Sequence, residues 1–168
     1  KITVQAEREG FSVSKEITVE IPVNIDGCVS IGATIIGSSG RGNSGETQEM
    51  ALDGKEETKW CHSGNTGWLA IDLGDTYTIN RWRTVHGEKG DKEPGFNTEK
   101  FALEVLKDPN ASASDLASSS YLSNKDNWTE IEFVDNSSAQ AMVVDHTLAE
   151  AVTGRYFRLR IDDSCINQ

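Results

Sequence analysis

The stretch from Asp53 to Thr58, "DGKEET", places a carboxylate and a hydroxyl five residues apart beside a glycine. Calcium takes about six to eight oxygen ligands at roughly 2.3–2.6 Å and accepts backbone carbonyls beside carboxylates, so a tight turn of this kind is able to wrap one. Gly54 lets the chain bend back. The same spacing is equally typical of an Asx-type turn in which Asp53 caps its own backbone without a metal. Spacing alone leaves both interpretations open.

The sequence offers little that is typical of a catalytic site. The three histidines, His62, His86 and His146, lack the spacing of a zinc-protease helix, and there is no Gly-x-Ser-x-Gly motif and no phosphate-binding glycine loop. The 27 acidic residues include many conceivable carboxylate pairs, but none lies in a setting that implies a raised pKa. We therefore expect a chain that is not itself an enzyme.

Charge and hydropathy exclude two classes of partner. The chain of 168 residues carries 16 Lys and Arg against 27 Asp and Glu, a formal net charge of −11. This charge opposes approach to nucleic acid and to anionic lipid. No apolar run reaches the roughly 20 residues that a membrane helix needs, and the first residues lack the pattern of a secretory signal. We expect no nucleic-acid partner and no membrane insertion, and we interpret the chain as a soluble piece of a larger protein.

The first part of the chain has the period-two alternation of β-strands. Two runs, Ile2 to Ala6 and Ile17 to Val23, alternate apolar and polar residues, and a turn-type sequence follows them. We place a boundary near residue 25. Residues 1–24 are predicted to be a β-strand extension or the end of a neighbouring β-domain, and residues 25–168 the main module.

The sequence of the main module predicts many short strands separated by turns. Helical periodicity is confined to turns at Thr47 to Leu52 and Ser114 to Ser118. This pattern favours an all-β sandwich or barrel, with long loops that can carry recognition. The predicted strands cover residues 33–36, 68–73, 78–86, 100–106, 129–134, 141–148 and 156–161.

Four segments carry a family resemblance. The stretch "MALDGKEETKWCHSGNTGWLAIDLGDTYTINRWRTVH", followed by "FNTEKFALEV", "NWTEIEFV" and "GRYFRLRI", resembles coagulation-factor type C domains, which are discoidin-like, and among them the bacterial family 32 carbohydrate-binding modules. The resemblance spans residues 28–163. It implies an eight-stranded jelly-roll β-sandwich of the galactose-binding-domain-like type, a structural calcium, and a shallow glycan site on loops at one end.

The resemblance also implies the ligands of the calcium. Asp53 and Thr58 would offer side-chain oxygens, and carbonyls near Met50 and Glu56 would complete the shell. In the family a further glutamate comes from a closing strand that has no counterpart in "DDSCINQ". Either that strand is cut off, or residues 1–24 fill the edge of the sheet that it would occupy.

The predicted sugar site centres on one loop. Residues 86–101, "HGEKGDKEPGFNTEKF", resemble a loop of bacterial glycosidase-borne modules in which His86, Phe96 and Asn97 match sugar-binding positions. His86 and Asn97 would make directional hydrogen bonds from the rim, and Phe96 would cover the apolar face of the ring. Lys92 and Glu93 fall where this sequence departs from the pattern, so their role is open.

A second loop supplies further candidates. Glu46 precedes Asp53 by seven residues, as in the family, and its carboxylate could accept from two neighbouring sugar hydroxyls. Equally, Glu46 could cap the turn at Thr47 to Leu52. Arg41 and His62 could lie near the same rim, although a solvated or supporting position suits them better.

These features together predict a non-catalytic carbohydrate-binding module of a secreted or cell-surface bacterial glycoside hydrolase. The expected ligands are glycans that end in galactose, N-acetylgalactosamine or N-acetylglucosamine, and the other expected partners are modules of the same parent polypeptide. The alternatives are a protein- or lipid-interaction discoidin domain and a structural spacer without ligand.

Overall fold

The computed structural model describes residues 27–40, 45–86, 97–139 and 141–164, together with the backbone of residues 2–8 and 11–17. The described chain is mostly antiparallel β-structure with a few short helices, which confirms the predicted all-β class. The strands are β1 (Ile2–Arg8), β2 (Phe11–Ile17), β3 (Thr34–Ser38), β4 (Gly67–Val85), β5 (Thr98–Leu106), β6 (Trp128–Asp135) and β7 (Val143–Ser164). The helices that lie wholly within the described residues are the 3-10 turns Gln48–Ala51 and Lys125–Asn127 and the one-turn α-helices α1 (Ala113–Leu116) and α2 (Ser119–Ser123).

Strands β3 to β7 form one five-stranded antiparallel sheet in the order β3-β4-β7-β5-β6. Two of these strands are long, because runs that the sequence predicts as separate strands continue into one another. Residues 68–73 and 78–86 join in β4, and residues 141–148 and 156–161 join in β7. The pairing register of β4 with β7 shifts between Asp72 and Tyr77, where Gly74 adopts a φ of 82° and its N–H donates to Asp72 Oδ1.

A second register shift lies between Ile79 and Arg81. The two shifts allow the second half of β4 to fold over the sheet that its first half helps to form. Trp82 of β4 meets Phe101 of β5 edge-on, with ring centroids 5.8 Å apart, and its Nε1 donates to Glu132 of β6 at 2.6 Å. In the described strand order, β4 is not hydrogen-bonded to β5 or to β6. The contacts therefore run between two layers, as in a β-sandwich.

The first two strands pair with each other from Ile2 opposite Ile17 to Arg8 opposite Phe11. The second strand lies earlier in the chain than the sequence predicts, at Phe11–Ile17, and residues 18–23 of the predicted strand lie outside the described part. Within the described backbone, β1 and β2 make a separate two-stranded sheet. They do not fill an edge of the larger sheet there, and the predicted boundary near residue 25 stays a prediction.

Serines define the two short α-helices. Ser112 and Asp115 form a reciprocal capping box around α1, and Ser118 accepts from the amide of Tyr121 at the start of α2. The sequence predicts one turn at Ser114 to Ser118, whereas Ser118 separates two helices. None of the described helices is long and apolar enough to cross a membrane.

The helical segment covers one side of the core. Trp128, which opens β6, is buried and donates its Nε1 to the carbonyl of Leu122 at 2.9 Å. Trp68 packs against the cluster of buried residues around Trp128, and Trp60 is half-buried. The buried members of the cluster are Ala70, Leu106, Leu122, Trp128 and Tyr156.

Candidate functional site

His86 and Asn97, the two central sugar-site candidates, lie beside two strands that are consecutive in the chain. His86 directly follows β4, and Asn97 directly precedes β5. The amide of His86 donates to the carbonyl of Met142 at 2.7 Å, and Thr98, next to Asn97, pairs with Ser164 at the end of β7. The side chain of Asn136 spans the interval between them, because its Nδ2 donates to the carbonyls of Thr98 and Ala141. The structure thus brings both residues to one end of the sandwich.

Both residues are buried, which corrects the prediction that they stand on an exposed rim. His86 is 7% exposed and Asn97 is 1% exposed. The imidazole of His86 lies against Phe101, with ring centroids 5.0 Å apart, and its Nε2 is 3.0 Å from Thr84 Oγ1. The reason is the fold-over of β4, which places the side chain at its end between the two layers. A ligand at this position would contact groups that also belong to the packed interior.

The charge state of His86 follows from this burial. Removal from water, and to a smaller extent the nearby His146, lower the pKa of His86 from 6.5 to about 4. The ring is therefore neutral at pH 7, with one nitrogen as a donor and the other as an acceptor. A neutral imidazole suits the uncharged hydroxyls of a sugar, which act as both donors and acceptors.

Beneath His86 lies a polar and aromatic cluster that the sequence does not reveal. His146 stacks on Trp82, with ring centroids 4.5 Å apart and planes inclined by 20°. The Nδ1 of His146 is 3.4 Å from Glu132 Oε1, and the other carboxylate oxygen, Oε2, accepts from Trp82 Nε1. These residues come from β4, β6 and β7, so no local spacing in the sequence could have indicated their association.

Glu46 and His62 lie in a second group near the start of β4. Glu46 forms an ion pair with Lys59 at 3.3 Å, and its carbonyl accepts from the amide of Cys61 at 3.5 Å. Burial, followed by the charge of Glu46, raises the pKa of the Cys61 thiol. The N-cap of the turn Gln48–Ala51 is Thr47, which makes no side-chain capping bond.

His62 lies against the first residue of β4. A Cβ built on Gly67 would come within 3.3 Å of His62 Nδ1. Ser164, which pairs with Thr98, donates its amide to the carbonyl of Asn65 at 2.9 Å. Through this contact the segment that holds His62 reaches the same end of the sandwich as Asn97. The remaining predicted sugar-site residues, Arg41, Lys92, Glu93 and Phe96, lie outside the described residues.

The predicted calcium turn has side-chain oxygens, the possible metal ligands, in close contact. Thr58 Oγ1 lies 3.0 and 2.8 Å from the two carboxylate oxygens of Asp53, and Asp53 Oδ1 accepts from the amide of Lys55 at 2.9 Å. Gly54 has a φ of 74°, which glycine adopts without strain. Met50 lies in the preceding 3-10 turn and Glu56 between Asp53 and Thr58.

This donor set fits a hard cation only in part. Carboxylate, hydroxyl and carbonyl oxygens are the ligands that calcium prefers. However, the described residues include no group of three or more His, Cys, Asp or Glu side chains that could hold a metal. The bonds from Lys55 and Thr58 to Asp53 are also those of the capped-turn alternative, so calcium stays a prediction.

The family assignment follows from a comparison of the sequence with family models. Residues 50–159, more than half of the chain, match the model described as a NedA-like, galactose-binding domain of F5/F8 type C. The chain belongs to this family. The match includes the turn at Asp53, His86 directly after β4 and Asn97 directly before β5. No match was found among curated protein sequences.

Solved structures share the fold of this NedA-like domain. The family 32 carbohydrate-binding module of Streptococcus pneumoniae EndoD has a TM-score of 0.63 and 24% identity, over 83% of this chain and 88% of that one. A chitosan-binding module from Paenibacillus sp. IK-5, in complex with chitotriose, has a TM-score of 0.62 and 18% identity, over 83% and 90%. A family 32 module from Clostridium perfringens, in complex with GalNAc-β-1,3-galactose, has a TM-score of 0.58 and 16% identity, over 81% and 88%.

These likenesses confirm the predicted discoidin-like β-sandwich. The NedA-like domain therefore has the fold of a carbohydrate-binding module, as the three structures named above do.

Proposed function

We propose that this chain is a carbohydrate-binding module that recognises a terminal galactose, N-acetylgalactosamine or N-acetylglucosamine residue. The observation that carries the proposal is the meeting of His86 and Asn97 at one end of the sandwich, joined through Thr98, Asn136 and Ala141. A neutral imidazole and a carboxamide can each donate and accept, which matches the hydroxyl groups of a sugar. Related modules in complex with galactose, with GalNAc-β-1,3-galactose and with chitotriose support this class of ligand.

The wider role extends this proposal. The module would hold a secreted, multi-domain bacterial glycoside hydrolase on its glycan by weak and multivalent contacts. A single sugar held by a few hydrogen bonds gives a Kd on the order of 0.1–1 mM. The structural calcium at the turn around Asp53 and Thr58, with carbonyls of Met50 and Glu56, belongs to the same proposal.

A glycan array, followed by calorimetry with the sugar that it identifies, tests the ligand class. His86→Gln and Asn97→Ala should each weaken binding at least tenfold, because each removes a directional bond from a desolvated site. Val85→Ala, which changes an exposed neighbour of His86, is the matched control and should bind like the unaltered protein. Wild-type affinity in both site variants would overturn the assignment of these residues and would move the search to Glu46 and His62.

The alternatives give different results in the same set of samples. Sedimentation with anionic vesicles in the absence of sugar binding would support the lipid-interaction alternative. Retention of neither sugars nor vesicles would support a protein-interaction domain or a spacer without ligand.

A further inference from the structure

Asn136 is a buried asparagine that follows β6 and is 3% exposed. Among the described residues, its side-chain amide bonds to main-chain atoms. The Nδ2 group donates to the carbonyls of Thr98 at 3.3 Å and Ala141 at 3.1 Å, and Oδ1 accepts from the amide of Ala141 at 2.9 Å. The backbone N–H of Asn136 donates to the carbonyl of Glu99 at 2.6 Å. Every hydrogen of this amide therefore has a partner.

The partners of Asn136 adjoin the two residues proposed to bind sugar. Thr98 is the next residue after Asn97. On the other side, Ala141 precedes Met142, whose carbonyl accepts from the amide of His86 at 2.7 Å. One side chain thus connects the start of β5 to the segment that holds the end of β4. Asn136 itself makes no described contact with His86 or Asn97, so its connection to them runs through Thr98 on one side and through Ala141 and Met142 on the other.

We propose that Asn136 is a positioning residue for the sugar site, which fixes the separation of His86 and Asn97. This inference rests on the proposed function, because it takes those two residues as the ligand contacts. A sugar recognised by a few directional bonds requires its donors and acceptors at fixed positions. We call the hydrogen bonds of the Asn136 side chain to Thr98 and Ala141 the brace. If the brace loosened by a fraction of an ångström, both sugar contacts would be misaligned together.

The chemistry of the brace requires a neutral amide of this length. A carboxylate in its place would have no hydrogen to donate and would face two carbonyl oxygens. A serine hydroxyl is shorter and has one donor for the two carbonyls. Asn136 also opens the Asn-Ser-Ser motif typical of glycosylation acceptors, but its nitrogen is already bonded to two carbonyls in the interior, so the brace accounts for this residue better than a surface modification does.

The chain offers a matched control at the opposite end of β6. Asn127, just before β6, also donates its Nδ2 to a main-chain carbonyl, that of Tyr121 at 2.9 Å. Asn127→Asp therefore makes the same chemical change as Asn136→Asp, but away from His86 and Asn97. A purely structural role for Asn136 predicts that both variants lower the melting temperature and leave the affinity of the folded protein unchanged.

The test combines two measurements on both variants and on the milder variant Asn136→Ser. Titrations with galactose, N-acetylgalactosamine and N-acetylglucosamine give the affinity, and NMR hydrogen exchange gives the opening rate of the His86 amide. We expect Asn136→Asp to weaken sugar binding at least tenfold and to accelerate exchange at His86 at least tenfold, with a smaller effect in the same direction for Asn136→Ser. Asn127→Asp should leave both within twofold.

The results separate the two proposals. Sugar affinity within twofold of the unaltered protein, in a folded Asn136→Asp or Asn136→Ser variant, overturns the positioning role. If the unaltered protein binds none of the three sugars, the proposed ligand class fails, and unchanged exchange at His86 in the Asn136 variants would then overturn the brace as well. If Asn136→Asp does not fold, the result with Asn136→Ser decides.

Discussion

The imidazole of His86 packs against the ring of Phe101, with centroids 5.0 Å apart and planes inclined by 57°. His86 directly follows β4 and Phe101 lies in β5, so this contact joins the two layers of the sandwich. The proposed sugar contact is consequently also a packing element. Substitutions at this position will change stability and affinity together, and each experiment must measure both.

Replacement of His86 by alanine should destabilise the protein. His86→Ala removes the ring from Phe101 and the bond to Thr84, which we expect to lower the free energy of unfolding by about 1–3 kcal/mol. Urea denaturation measures this change, with the exposed neighbour substitution Val85→Ala as a control that should stay within about 0.5 kcal/mol. Full stability of His86→Ala would show that the ring is not packed in solution.

Acidification should destabilise the protein through His86. The unfolded chain binds a proton at this residue near its ordinary pKa of 6.5, whereas the folded protein binds it only near 4. Stability from this group is therefore complete above pH 6.5, falls as the pH is lowered toward 4, and falls no further below that value. From pH 7 to pH 4, the wild type should lose up to about 3 kcal/mol more than His86→Gln does.

The comparison with His86→Gln cancels the contribution to stability of the carboxylates that titrate in both proteins. Among them are Asp72, Asp135 and Asp162, whose pKa values are lowered and which lose their stabilising effect as the pH falls. Denaturation midpoints at pH 7, 5.5 and 4 give the difference directly. Parallel stability profiles for the two proteins would contradict a low pKa for His86.

The buried ion pair of Arg158 and Glu104 should be essential to stability as a pair. Arg158 Nη2 lies 2.5 Å from a carboxylate oxygen of Glu104, and both side chains are almost fully buried. Glu104→Ala leaves the buried guanidinium without this partner and should cost about 3–5 kcal/mol. The double variant Glu104→Leu with Arg158→Met should recover much of that loss, because it removes both buried charges of the pair. Arg160, which also contacts Glu104, keeps its ion pairs with Glu130 and Asp162.

Chemical denaturation of the single and double variants measures this coupling. Glu150→Ala, which changes an exposed acid, serves as the control. A double variant no more stable than Glu104→Ala would show that Arg158 is needed for its other contacts, the bond to the Leu122 carbonyl and the approach to the Trp128 ring.

Calcium and the capped turn at Asp53 make opposite predictions for one substitution. Asp53→Asn keeps an oxygen that accepts from Lys55 and Thr58 but removes the negative charge. If calcium binds, chelation should lower the melting temperature of the wild type, with a loss near 2.7 kcal/mol for calcium at about one hundred times its Kd. Asp53→Asn should then be less stable than the wild type and insensitive to chelator. Equal stability of both proteins with and without chelator would establish the capped turn.

The sequence by itself determines the strand-forming segments and the family. Short β-branched and aromatic runs predict the positions of β3, β5 and β6 to within a few residues, because these runs and the turn residues that bound them are local features of the sequence. The residue types at the turn of Asp53 and at the ends of β4 and β5 identify a carbohydrate-binding fold, since they occur in a fixed order along the chain.

Tertiary structure alone decides how these segments connect and what they bury. The joining of two predicted strands into β4, and of two into β7, depends on register shifts against partners distant in sequence. Gly154 of β7 approaches Val105 of β5 so closely that a Cβ on the glycine would lie 2.5 Å from Val105 Cγ2. This approach exists only once β7 pairs with β5. For the same reason the sequence placed His86 and Asn97 on a rim, although both are buried. Burial depends on which layer folds over a residue, and that is a property of non-local packing rather than of residue type or spacing.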